Sequence, residues 1–172
     1  NRGQYWWVGL DRAVQAANAQ DAQILYVLGS TPTWAASHRN QGIYPNRGAA
    51  SNPRYLADRR RGVTAVVTRY GPSIDAYQIW NEANLTTFWQ GTPQQMADLT
   101  AEAAKIIRKY DPTAKVVSAS TTVRLTSADH APAEARTAFK IDGSAADPSL
   151  WVIVPAVPGE RVLVVGGGSI GL

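Results

Sequence analysis

Three short apolar runs, Ile24 to Leu28, Ala76 to Trp80 and Lys115 to Ser120, alternate with segments of helical period. Runs of that length are strand-sized, and strands that alternate with helices of ten or more residues build βα units around a parallel sheet. The helical segments declare their faces. Leu10, Val14 and Ala17 recur at helical spacing with Asp11 near the first turn, and Leu56, Val63, Val67 and Tyr70 do so ahead of the breaker pair Gly71-Pro72. The third segment is the best punctuated. Thr92-Pro93-Gln94-Gln95 offers an N-cap, a proline at the first helical position and the glutamine of a capping box. Met96, Leu99, Ala103, Ile106, Ile107 and Tyr110 then form one apolar face until Asp111-Pro112 stops the helix. The expected class is α/β.

The ends of these strands hold the chemistry-bearing residues. Glu82 lies just past the second run, with Asn81 before it and Asn84 after it. In parallel α/β architectures ligands and catalytic groups gather at the carboxyl ends of strands, where the following loops converge. A lone glutamate there is ordinarily a solvated loop residue; Trp80 two positions before Glu82 and an Asn on each side raise it, while Asn81 is equally readable as a turn former. After the first run comes a polar connection, residues 35 to 54, carrying His38 and Tyr44. A connection of that length in a compact domain is more often functional than idle. The third run ends in Ser118, Ser120 and Thr121.

Trp80-Asn81-Glu82-Ala83-Asn84 resembles the Trp-Asn-Glu-Pro-Asn that ends the fourth strand of the retaining glycoside hydrolases of clan A, barrels that include family 39 xylosidases and family 5 cellulases. Ala83 departs from that pattern, which removes a fixed φ and no functional group. Ile24 to Ala35, ending in Pro32-Thr33-Trp34-Ala35, is similar to the third strand and following loop of the same enzymes. The resemblance implies a partial (β/α)8 barrel over residues 1 to about 125, with the three runs as strands three to five. It also implies hydrolysis of O-glycosidic bonds in a β-linked polysaccharide or oligosaccharide, with Glu82 as the general acid/base and Asn81 on the sugar 2-hydroxyl.

A closed barrel of this kind takes about 250 residues, against 172 here. The expectation is a fragment, a partly recorded chain or a truncated relative, with a second chain as one candidate to complete the barrel. A retaining mechanism also needs a carboxylate nucleophile about 5 to 5.5 Å from the acid. The resembling enzymes carry it as a glutamate in a Trp-x-x-Glu type context, which neither Glu134 nor Glu160 matches. The nucleophile therefore stays unassigned, and catalysis by this chain alone stays open.

Residues 126 to 172 read as a separate part, a turn-rich connection and a glycine-rich tail. Arg161 to Val165 is an apolar strand leading into G-x-G-x-x-G at Gly166, Gly168 and Gly171. With Pro158-Gly159-Glu160-Arg161 ahead of it, this stretch resembles the start of the nucleotide domain in medium-chain alcohol dehydrogenases. The sequence given stops before the acidic residue that would hold a ribose, so no cofactor is assigned.

Composition narrows the alternatives. There is no cysteine, hence no disulfide framework or thiolate site, and His38 and His130 lack a ligand-spaced partner, so no metal is expected. No apolar stretch is long enough to span a bilayer. The net charge of +4 and the run Arg59-Arg60-Arg61 raise nucleic acid as a partner. Three consecutive arginines on a helix spread around it, however, so a solvated face is expected and no nucleic-acid partner is assigned. Six tryptophans against two phenylalanines suit sugar binding, because indole faces stack on pyranose CH faces. Trp34 and Trp89, in loops after strands, are the expected platforms. Trp80 is expected near the acid, with His38, Tyr44 and Asn84 as hydroxyl contacts, while Trp6, Trp7 and Trp151 are equally readable as core. The expected partner is carbohydrate and the expected location extracellular. Two other classes remain open: a carbohydrate-binding relative without catalysis, and part of an NAD-dependent oxidoreductase.

Overall fold

A computed structural model describes residues 2–40 and 47–121, together with the backbone of 162–165. The elements, in chain order, are α1 (Val8–Asn18), β1 (Gln23–Leu28), α2 (Leu56–Tyr70), a 3-10 turn (Gly71–Ser73), β2 (Ala76–Ile79), α3 (Pro93–Tyr110), β3 (Lys115–Val117) and β4 (Val162–Val165). The strands form one parallel sheet in the order β3-β2-β1-β4. The α/β class is what the alternation of periods predicts. The sheet described is open, with β3 and β4 at its edges.

Successive strands β1, β2 and β3 are neighbours, each joined to the next by a helix. Right-handed crossovers made repeatedly in one direction stack their helices on one face of a sheet. That face holds the main core. Ile24, Tyr26 and Leu28 of β1 and Tyr77 and Ile79 of β2 meet Leu10 and Val14 of α1, Val63, Val66 and Val67 of α2, and Ala103 and Ile107 of α3. Alternation along the strands sends Leu25, Val27, Ala76, Gln78 and Val117 to the opposite face, and the register sets Leu25 beside Ala76 and Val27 beside Gln78.

Local signals account for the helix ends. At α3 the Thr92 hydroxyl accepts from Gln95 N–H at 3.1 Å and the Gln95 side chain accepts from Thr92 N–H at 2.8 Å. Both first-turn donors are thereby satisfied, and Pro93 spends no N–H there. At the amino ends of the strands Asp75 acts as a register clamp. Its carboxylate accepts from Ile24 N–H at 2.7 Å, its N–H donates to Ile24 O at 3.1 Å and its carbonyl accepts from Lys115 N–H at 2.8 Å. Three strands are thus fixed against slippage, and their carboxyl ends come level at the other edge.

The arginine run departs from expectation. Arg60 reaches Glu102 of α3 at 2.9 Å, and Arg61 pairs with Asp58. Arg59 is buried, because it shares the core-facing line of α2 with Val63, Val66 and Tyr70. Trp6, readable from the sequence either way, is exposed. The glycine fingerprint at 166–171, His130, Glu134, Trp151, Glu160 and Tyr44 lie outside the described residues; β4 does form, and pairs parallel with β1.

Candidate active site

The carboxyl end of β2 is held in a conformation that side-chain-bearing residues rarely adopt. Trp80 has φ +71 and Glu82 φ +46. A bulky residue in the left-handed region is an outlier, and each such residue costs on the order of 1–3 kcal/mol, persisting only where its surroundings over-determine it. They do so here. Trp80 N–H donates to Leu28 O at 3.2 Å, and its indole N–H donates to Phe88 O at 2.8 Å. Its ring meets Trp89 edge to face with centroids 4.9 Å apart. Buried Gln78 donates from its amide to Trp80 O at 2.8 Å, which pins the peptide on the other side of the same residue.

Ser120, three residues past the end of β3, fixes the two residues that follow. Glu82 N–H donates to Ser120 Oγ at 2.9 Å, and Ala83 N–H donates to Ser120 O at 3.0 Å. With one lone pair of Oγ taken by that N–H, the hydroxyl proton turns to Asn81 Oδ1 at 2.6 Å, which Gln78 also approaches at 3.4 Å. The Asn81 amide is thereby oriented. Its oxygen is engaged on the protein side, and Asn81 is exposed, so its NH2 is left as an outward donor. Beside it the half-buried Glu82 carboxylate has no hydrogen bond or ion pair among the described residues. An outward amide donor and an adjacent uncommitted carboxylate at a strand mouth can bind a polyol and exchange a proton with it.

The other residues expected at the site divide. Trp34 lines a recess beside the end of β1, together with Ser30, Thr31 and Pro32. Trp80, expected as a substrate contact, stands at the end of the strand that Glu82 follows but is 3% exposed and serves as packing. Trp89 corrects the sequence reading. It is 4% exposed, donates its indole N–H to Thr92 O at 3.3 Å and presents no open face to a sugar ring. The cause is Gly91: a Cβ there would come within 2.3 Å of Trp89 Cζ2, so only glycine lets the indole fold back over the chain. Asn84 is half-buried. His38 is exposed, in contact with the Ser37 hydroxyl at 3.0 Å, and does not line the recess.

Ser120 and Arg59 are the residues the sequence reading did not assign. Ser120 had a weak signal, a hydroxyl at the end of a strand whose neighbour carries the acid. Arg59 had a better one, its place four residues before Val63 and seven before Val66 on one helical line. Among the described residues there is no cluster of three or more metal-ligating side chains, and no helix is long and apolar enough to cross a membrane.

No family model matches the chain, and no curated protein does. Among solved structures, a glucosidase from Croceicoccus marinus superposes with a TM-score of 0.57 at 18% identity over 76% of this chain. At that identity the likeness is one of fold. The chain spans 26% of that glucosidase's length.

Proposed function

We propose that the chain is part of a (β/α)8-barrel glycoside hydrolase in which Glu82 is the general acid/base. The observation that carries this is the Trp80–Glu82 strand end, with two left-handed residues held by Ser120 and Gln78 so that Asn81 and Glu82 stand side by side. Strain kept at a strand's carboxyl mouth marks a position selected for what it presents. The fold likeness to a glucosidase supports the same reading.

In this mechanism Glu82 protonates the leaving oxygen as the glycosidic bond breaks, then takes the proton from the attacking water. Asn81 donates from its amide to the sugar 2-hydroxyl, a bond that strengthens as charge builds on the ring. The nucleophile belongs to strands beyond the described residues. Asp58, the carboxylate that lines the recess beside Trp34, is taken by Arg2 and Arg61. Whether those strands belong to the same polypeptide or to a second chain, the catalytic pair needs them. In the active assembly Glu82→Gln is expected to lower turnover of a β-linked oligosaccharide about 10²–10⁴-fold while leaving its binding within about twofold. Turnover near that of the unmodified protein would overturn the assignment.

A further inference from the structure

A recess lies between the N-terminal segment, the end of β1 and the first turns of α2. It encloses a cavity of about 30 Å3 within a space of about 460 Å3 that opens to solvent. Its walls include Arg2, Thr31, Trp34, Asp58, Arg59 and Arg61, three guanidinium groups against one carboxylate. That carboxylate is already committed. Asp58 pairs with Arg2 at 2.9 Å and with Arg61.

Arg59 is left without a counter-ion among the described residues. It is 8% exposed, donates from Nη2 to Leu28 O and sits 5.9 Å from the centre of the Trp80 ring, while its buried Nε has no partner. Burial lowers its pKa to about 10, so it is still charged at neutral pH. A buried cation without an anion is expensive, and folded proteins pair such groups or give them a ligand. Arg59 lines the cavity, so the solvent-open space lies beside its side chain.

Size and position define the ligand. A water needs about 10–15 Å3 of such space, so the cavity itself takes a group of carboxylate size and no more. Beyond the cavity the recess opens to solvent, which leaves the rest of a ligand free to extend outward from the carboxylate. Trp34 forms one wall of it, with the Arg2 guanidinium 5.8 Å from its ring centre. The recess also adjoins the acid's strand. Leu28 O accepts from both Arg59 Nη2 and Trp80 N–H, so one carbonyl links the cavity to the peptide two residues before Glu82.

We propose that the recess binds the carboxylate of a uronic acid unit, with Arg59 as its counter-ion, which makes the substrate an acidic saccharide. This rests on the glycosidase reading for its biological sense, but binding can be measured without turnover.

The test is an NMR titration of the chain with methyl β-D-glucuronide, with methyl β-D-glucoside as the neutral control and inorganic phosphate as the free anion. The uronide is expected to bind at least about tenfold more tightly than the glucoside, the scale of one charge-assisted, partly desolvated contact. Arg59→Gln should abolish that preference. Arg2→Gln, at a side chain 58% exposed and so safe for folding, should reduce it about threefold or more. Binding is read without turnover, so failure of the catalytic assignment would leave this result standing. Equal affinity for uronide and glucoside, an unchanged preference in Arg2→Gln, or phosphate binding as tightly as the uronide would each overturn the proposal.

Discussion

Replacing Ser120 by alanine removes one side chain from the end of β3 and should be felt at the end of β2. Two hydrogen bonds go, Ser120 Oγ–H to Asn81 Oδ1 at 2.6 Å and Glu82 N–H to Ser120 Oγ at 2.9 Å. Each is worth about 0.5–1.5 kcal/mol net. Asn81 is exposed and Ser120 half-buried, so water replaces part of the loss, and a total of about 1–2 kcal/mol is expected. For a chain of this size that lowers Tm by about 3–6 °C. Activity should fall further than stability implies, because both the Asn81 amide and the Glu82 backbone lose their anchor while the strained φ values remain to be held. The assay is a double-mutant cycle with Asn81→Ala, read by urea unfolding and by kcat/KM in the active assembly. The two substitutions should couple by about 0.5–1.5 kcal/mol. Additivity within about 0.3 kcal/mol in both readouts would show that Ser120 does not position Asn81.

Two further outcomes follow from the packing. Gly91→Ala should displace the Trp89 indole, loosen its contact with Trp80 and lower both Tm and activity, and the near-UV circular dichroism of the Trp80–Trp89 pair should collapse. At alkaline pH the buried phenols should decide stability. Burial pushes Tyr26 up to about 12 and Tyr77 higher still, with the Asp111 charge adding to the latter. Groups whose folded pKa is raised stabilise fully below the unfolded value of about 10, and that stability is lost as pH climbs toward the folded one. Arg59, lowered to about 10 by burial, acts in the opposite sense over the same window, since the folded state is relieved of a buried charge there. Two phenols outweigh one guanidinium, so unfolding should set in above about pH 10, with Tyr26 and Tyr77 ionising only in that cooperative step when absorbance is followed at 295 nm. Their smooth titration in the folded protein would contradict the burial.

The fold was legible wherever a local signal has a local cause. Thr92, Pro93 and Gln95 announce α3 because a capping box is closed within four residues. Leu10, Val14 and Ala17 announce α1 because a single helical face is all they need. That Glu82 follows the end of a strand was legible from the apolar run before it, but the hold on its backbone was not. Ser120 lies 38 residues away, and only the parallel register of β2 and β3 brings it to Asn81. Trp89 was misread for a related reason: a tryptophan after a strand reads as a platform until the small residue two positions on, Gly91, lets it fold inward. Arg59 was misread because a run of like charges was treated as one feature, whereas each arginine faces a different surround, and the line through Val63 and Val66 marks the middle of the core.

If Glu82 delivers a proton to the leaving group, the effect of removing it depends on how much the leaving group needs that proton. In the active assembly kcat/KM of Glu82→Gln should be compared with that of the unmodified protein on a 4-methylumbelliferyl and a 2,4-dinitrophenyl glycoside of the same sugar. A dinitrophenolate departs without protonation, so its kcat/KM should fall less than about tenfold, whereas the poorer leaving group should lose about 10²–10⁴-fold. Equal losses on both substrates, or none on either, would contradict Glu82 as the acid.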